Sequence, residues 1–200
     1  MIVLSLDTSS SNVSFCLLKA SKPILSFYKD TNEKTLNLLP YLFNQFEIDP
    51  ASIDAFFVSI GVGYSTPLKI GINFIKAIAI ALQKPIYTFT NIDALAKTLF
   101  KNEDLFLYRK ISNAYVGAFY EKGKRLSDIE EYQELPETYS KNIEDYEHMF
   151  SYLGYEAFKD TNPSNLFLIE PIYTRPPTRV PRPTSMPRDT SLPRDTRVPR

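Results

Sequence analysis

The chain opens on Ile2, Val3, Leu4 and Leu6, a nearly continuous apolar run of the kind found in a central strand covered on both faces. The small polar residues of 7–12 signal a turn, after which Val13, Phe15 and Leu17 resume with a period of two. Residues 23–28 give a third strand, so the spacing predicts an antiparallel meander. The period then lengthens. Leu36, Leu39, Phe43 and Phe46 recur every three or four positions and predict a helix over 34–46, with a kink or a late start at Pro40. A short apolar strand over 55–60 ends at Gly61-Val62-Gly63. A second helix over 67–82 carries Leu68, Ile72, Ile75, Ala79 and Leu82 on one side, leaving only Lys69, Asn73 and Lys76 as a polar stripe. A strand over 86–89 and a helix capped by Asn91 and reaching about Phe100 complete this half.

The second half is less regular. Residues 105–108 and 114–120 read as strands joined to a hairpin turn at Lys122-Gly123-Lys124, and 128–147 reads as an acidic solvated face. A helix over 143–159 and a short strand over 166–169 follow. The alternation predicts two unequal α/β lobes, 1–100 and 101–175. Beyond Arg175 the chain is rich in proline and arginine and carries a period-six repeat over 181–198, which predicts a disordered, partly polyproline II tail over 176–200.

Charge sharpens this division. The formal net charge of 0 is the sum of +4 in the tail, which has six arginines and two aspartates, and −4 elsewhere. An acidic body does not favour direct binding of nucleic acid, which requires a basic face against phosphates. No run approaches the ~18 uninterrupted apolar residues of a membrane helix. The N-terminal residues lack a basic region and cleavage site, so a cytoplasmic location is expected. Cys16 is the single cysteine and sits among apolar residues, where it reads as a small buried hydrophobe. His148 is the single histidine and reads as a surface residue. With one histidine and one cysteine, no conventional zinc site can be assembled within the chain, and no nucleophile elbow accompanies His148 for a peptidase triad.

Three features remain that could carry function. Asp7, Thr8 and Ser9 follow a buried strand, where a carboxylate can hold magnesium through water and hydroxyls can face a phosphate; the competing reading is an Asx turn closed on itself. Gly61 and Gly63 lie between a strand and a helix, where a backbone can approach an anion, although neither a P-loop nor a dinucleotide fingerprint is present. The competing reading is a tight turn capped by Ser65 or Thr66. The third feature is the apolar excess of the two helices. Leu36, Leu39, Phe43, Phe46, Leu68, Ile72 and Ile75 supply more apolar surface than one sheet face needs, which marks a candidate partner interface beside a competing role in the chain's own core.

These segments resemble the TsaB (YeaZ) family of tRNA threonylcarbamoyladenosine biosynthesis. The resemblance rests on Leu6-Asp7-Thr8-Ser9 after the first strand, on Gly61 through Gly71 in place of the family's Gly-Pro-Gly-Ser-Phe-Thr-Gly-Val-Arg-Ile-Gly, on Asn32-Glu33-Lys34-Thr35 with Leu38-Leu39-Pro40, and on Glu170-Pro171-Ile172-Tyr173-Thr174-Arg175. Val62, Tyr64-Ser65, Pro67 and Lys69 depart from the pattern, and Pro67 removes an amide donor from the loop. The resemblance implies an actin/hexokinase-like fold with two RNase H-like lobes, the second reduced. It implies a non-catalytic subunit that dimerises with and activates the catalytic paralogue TsaD through the first two helices, with the ATPase TsaE bound near the junction. No intrinsic cofactor is expected; ATP or ADP with magnesium at the complex interface is the one nucleotide expectation. A homodimer through the same helices is expected when the partner is absent. The alternative is an ATP-binding phosphotransferase of the actin/hexokinase class with Asp7 near magnesium.

Overall fold

The computed structural model describes residues 1–10, 12–29 and 33–172. The closing Tyr173-Thr174-Arg175, the tail over 176–200 and Asn32 lie outside the described residues. The first sheet is built from β1 (Ile2–Asp7), β2 (Val13–Lys19), β3 (Lys22–Lys29), β4 (Ala55–Ser59) and β5 (Ile86–Phe89), in the order β3-β2-β1-β4-β5. The first three strands form the antiparallel meander, and β4 and β5 run parallel to β1. On edge strand β3 the register shifts opposite Leu17 and Leu18, next to Pro23, whose missing N–H cannot join the ladder.

β1 shows how the sheet is buried on both sides. Leu4 and Leu6 point into a core shared with α1 (Thr35–Gln45) and α2 (Ser65–Leu82). Val3, on the opposite face of the strand, points into a second core shared with α3 (Asn91–Thr98) and α4 (Phe150–Phe158). Beyond α3 and α4 lies the second sheet: β6 (Asp104–Ile111), β7 (Ala114–Glu121), β8 (Lys124–Arg125), β9 (Glu130–Tyr132) and β10 (Ser140–Asn142). Its order is β10-β6-β7-β8, with β9 also paired to β7. The molecule is therefore layered as helix pair, sheet, helix pair, sheet. Cys16 lies in the second core, where burial pushes its thiol pKa up and keeps it protonated.

Several expectations are corrected here. Leu39, Phe43, Leu68, Ile72 and Ile75, expected at a partner interface, are buried at 9 % exposure or less and pack α1 and α2 onto the chain's own first sheet. Only Leu36, at 63 %, stands clear, and Phe46 is half-buried against Phe27. The physical reason is that α1 and α2 also pack on each other, as Phe43 and Phe74 do with ring centroids 5.2 Å apart, so each helix buries two stripes. α1 starts at Thr35 and continues through Pro40. The 143–159 helix is divided into a 3-10 segment over Ile143–Met149 and α4. Leu166–Leu168 is a 3-10 turn rather than a strand, capped by the Asn165 side chain on the Phe167 amide. The sequence division at 100/101 assigns α4 to the second lobe, yet α4 lies on the first sheet, with Tyr155 against Phe57 and Gly154 against the Phe89 ring. α2 is long and apolar enough by composition to cross a membrane, but here it links β4 to β5 and seats Leu68, Ile72, Ile75 and Ala79 in the lobe core.

Two measurements check this packing. Leu39→Ala is expected to cost about 2–5 kcal/mol in urea unfolding and Leu36→Ala no more than about 0.5, because only the first empties a core site. The second concerns Tyr120, whose hydroxyl on β7 donates to the Asp93 carboxylate on α3 at 2.7 Å. Burial, then the adjacent Asp93 charge, push its phenol pKa well above the usual 10.0. The neutral phenol is thus favoured by the fold; its contribution is complete below pH about 10 and shrinks as pH rises further, where the unfolded chain ionises first. Tyr120→Phe is expected to flatten that alkaline decline in thermal melts between pH 9 and 11.

Candidate functional site

β1 delivers Asp7 to the centre of the molecule, where the β1–β2 turn meets the β4–α2 loop and the second sheet. Asp7, Thr8, Ser9 and Ser10 are all buried. One oxygen of Asp7 accepts from the Ser9 amide at 2.9 Å and from the Ser9 hydroxyl at 2.7 Å, closing an Asx turn; its other oxygen is buried without a hydrogen-bond partner. The Thr8 hydroxyl donates to the Pro67 carbonyl at 2.9 Å.

The glycine loop is pinned against this turn. The Tyr64 amide donates to the Ser9 carbonyl at 2.8 Å, and a Cβ on Gly63 would overlap that same carbonyl. Gly71, one helical turn further into α2, leaves room for the Thr8 side chain in the same way. Asn91 fastens both partners. Its amide nitrogen donates to the Ser9 hydroxyl and to the Val62 carbonyl, each at 2.9 Å, and its oxygen accepts from the Val62 amide at 2.5 Å. The N-cap of α3 is instead Thr90, which accepts from the Asp93 amide at 3.1 Å. Asn91, expected as the cap, is freed for the loop.

The second sheet reaches the same point. Arg109 leaves β6 fully buried; Nη1 donates to the Ser9 carbonyl at 2.9 Å and Nη2 to Glu147 at 2.6 Å. The other oxygen of Glu147 accepts from Ser10 at 3.1 Å, Asn12 at 2.7 Å and Tyr28 at 3.3 Å. Glu147, which the acidic composition of 128–147 placed on a solvated face, is thus 7 % exposed and ties the second lobe to the first. His148 beside it is exposed, with its ring edge-on to Tyr28.

The five residues proposed from sequence for nucleotide contact are therefore brought together, but the junction they form is closed on itself. Thr8, Ser9 and one oxygen of Asp7 spend their polar groups on one another, on Pro67 and on Asn91, and the second Asp7 oxygen is enclosed without a partner. The amides of Gly61, Val62 and Tyr64 go to Ser59, Asn91 and Ser9. A phosphate cradle needs outward-facing amides and hydroxyls, so these residues do not fit a nucleotide as they stand. Asn91, Arg109 and Glu147 were missed by sequence reasoning. Only a charge embedded in the alternation of β6, as Leu105, Phe106, Leu107 and Arg109 show, offered a signal for one of them.

A meander with two parallel strands added, backed by helices and apposed to a smaller second sheet, defines an α/β protein of the actin/hexokinase-like fold. Solved structures share it: YeaZ from Pseudomonas aeruginosa, 16 % identical with TM-score 0.65, covers 86 % of this chain and 99 % of its own. A protein described as similar to peptidase YeaZ from Pseudomonas aeruginosa, 19 % identical with TM-score 0.67, covers 87 % of this chain and 99 % of its own. No curated protein sequence matches the chain. The chain belongs to the family described as TsaD, tRNA N6-adenosine threonylcarbamoyltransferase, whose model matches residues 28–133. It is a TsaB/YeaZ-like protein, and its family membership supports a role in threonylcarbamoyladenosine synthesis in tRNA.

The junction yields its own test. Glu147→Ala leaves the Arg109 guanidinium buried without its carboxylate and is expected to cost about 3–5 kcal/mol. Arg109→Met combined with Glu147→Gln is expected to lose clearly less than Glu147→Ala alone, measured by denaturant unfolding, because no unpaired charge remains.

Proposed function

We propose that this chain is a non-catalytic partner subunit in the synthesis of N6-threonylcarbamoyladenosine at position 37 of tRNA, docking on TsaD and activating it, with TsaE at the junction of the two. The observation that carries the reading is the apolar surface left on the outer side of α1 and α2. Only 28 % of α2 is buried within the chain although its composition is that of a core helix. Leu36 and Tyr64 at the seam, and Ile80 on the outer side of α2, are between 45 % and 63 % exposed. Ile70, Ala77 and Ile80 recur at helical spacing on α2, and Phe74 and Ile78 are only half-covered. A helix pair in this condition is suited to packing against another pair, burying its remaining stripe as an interface core.

The accessory reading is supported by composition. A single histidine cannot supply a histidine pair for a catalytic metal, and among the described residues no cluster of three or more histidine, cysteine or acidic side chains could hold one. The inward-turned Asp7 junction likewise favours a structural role over a phosphotransferase, the reading that would need Asp7 near magnesium. A homodimer through the same seam in the absence of TsaD follows from the same exposed surface.

The mutations that test docking must lie on the exposed side. Leu36→Asp and Ile80→Asp are each expected to weaken binding to TsaD by about tenfold or more, with melting temperatures close to that of the parent. Ile75→Asp, in the core, is expected to unfold the protein and cannot serve. Retention of full affinity for TsaD by folded forms of both exposed-side variants would sink the proposed docking face.

A further inference from the structure

Phe167 and Leu168 are 87 % and 77 % exposed, more than any other large apolar side chain among the described residues. In the 3-10 turn Leu166–Leu168 positions i and i+3 eclipse, so Leu166 and Ile169 both face the core under α2 and the two residues between them are turned out. The segment that carries them is firmly held. The Ser164 amide donates to the Ile86 carbonyl at 2.7 Å, the Ile172 amide to the Ile60 carbonyl at 2.7 Å, and Lys76 of α2 to the Ile169 carbonyl at 3.4 Å. Asn165 caps the turn by accepting from the Phe167 amide at 3.1 Å. The result is a rigid apolar knob on one flank of α2, and a knob already fixed loses little conformational entropy on docking.

The other flank of α2 carries a groove. Phe74 and Ile78 lie two positions before and after Lys76, and two residues turn a helix by about 200°, so both face α1 on the opposite side. With Pro40 and Phe43 of α1 they line a groove of about 540 Å³ whose rim carries Glu47 and Asp49. No basic side chain lines it, and neither acid forms an ion pair among the described residues. Lys76, beside the knob, forms none either. Knob and groove thus share one outer face and one level along α2, with charges of opposite sign beside them.

We propose that the groove is filled by a second copy of this chain: Phe167 and Leu168 of each copy seat between α1 and α2 of the other, and Lys76 of each faces Glu47 and Asp49 of the other. The symmetry permits it. A two-fold axis parallel to α2, over its outer side, exchanges the two flanks of the helix and keeps the level along it. Both knobs then reach both grooves at once, and the contact closes on two chains. Between the copies α2 meets its counterpart through Ala77, small and exposed, with Ile80 beside it. An aromatic and an aliphatic anchor in a fitted groove concentrate binding energy in few residues, and the opposed rim charges fix the orientation. This contact deepens the homodimer reading above and rests on it.

Sedimentation velocity of the full-length protein tests the contact, with the melting temperature as the check on folding. The parent is expected to dimerise. Phe167→Ser combined with Leu168→Ser is expected to weaken the dimer by about tenfold or more at an unchanged melting temperature, because neither side chain is in the core. A mixture of two variants then locates the contact, one carrying Leu168→Cys and the other Asn44→Cys on the groove wall; native Cys16 is buried in both. Under mild oxidation the mixed disulfide is expected to form about tenfold faster than either homodisulfide, or more. Unchanged dimer affinity in the double serine variant, or homodisulfides as fast as the mixed one, would overturn the knob-and-groove contact while leaving the homodimer reading in place. A parent that is monomeric at every concentration overturns both. TsaD is absent from both measurements, so docking on it is decided separately.

Discussion

Arg109 starts on the second sheet and ends, fully buried, on the carbonyl of Ser9 in the first. A guanidinium in that position is tolerated only with a carboxylate in register, and Glu147 provides it at 2.6 Å. Much of the junction can be read from this requirement. Ile143–Met149 is a 3-10 segment that sets Glu147 facing inward beside the exposed His148 and hands the chain on to α4. The second oxygen of Glu147 then collects Ser10, Asn12 and Tyr28, so three pieces of the first lobe are ordered by one side chain of the second. In the low-dielectric interior such a network is stable only when nearly complete. Arg109 Nε and one oxygen of Asp7 are the buried charged-group atoms left without a hydrogen-bond partner among the described residues.

The same junction explains why the loops that look ready for phosphate chemistry do something else here. Ser9 is the hub: its carbonyl receives Arg109 and Tyr64, its hydroxyl bridges Asp7 and Asn91, and the missing Cβ of Gly63 lets the second loop lie directly upon it. Glycine at 63 serves backbone-to-backbone contact within the chain rather than the approach of a ligand. The outward chemistry of the molecule lies instead on the far side of the first sheet, where α1 and α2 leave aromatic and aliphatic surface along their seam. Structural polarity is spent inside, and apolar surface is left outside.

Much of the first lobe was legible in the sequence because each of its elements obeys a local period. The alternation of Val13, Phe15 and Leu17, and the three-four spacing through Leu68, Ile72 and Ile75, identify strand and helix irrespective of what they touch. The 3-10 turn at Leu166–Leu168 was misread as a strand because three apolar residues carry no period, and the Asn165 cap that decides the matter is a single side-chain bond. The candidate site was legible as a set of positions: Asp7, Thr8, Ser9, Gly61 and Gly63 do converge. Their condition was not, because Asn91 and Arg109 meet Ser9 from 82 and 100 residues away in the chain.

The residues expected at a partner interface mark the boundary between the two kinds of information. Sequence periodicity gives the apolar content of a helix and its stripes, and it correctly placed Leu36 and Leu39 on apolar helix α1. It cannot say which stripe faces inward when a helix has more than one, since that depends on how the helix is rolled against its sheet and its neighbour. Packing of Phe43 on Phe74 and of Leu39 on the first-sheet core fixes that roll, turning Leu36 out and Leu39 in. The sequence by itself determined most elements of the first sheet and its helices, the α/β class and the division of charge between body and tail. Tertiary structure alone decided which residues are core and which are surface, because burial is a property of the neighbours that long-range packing brings together.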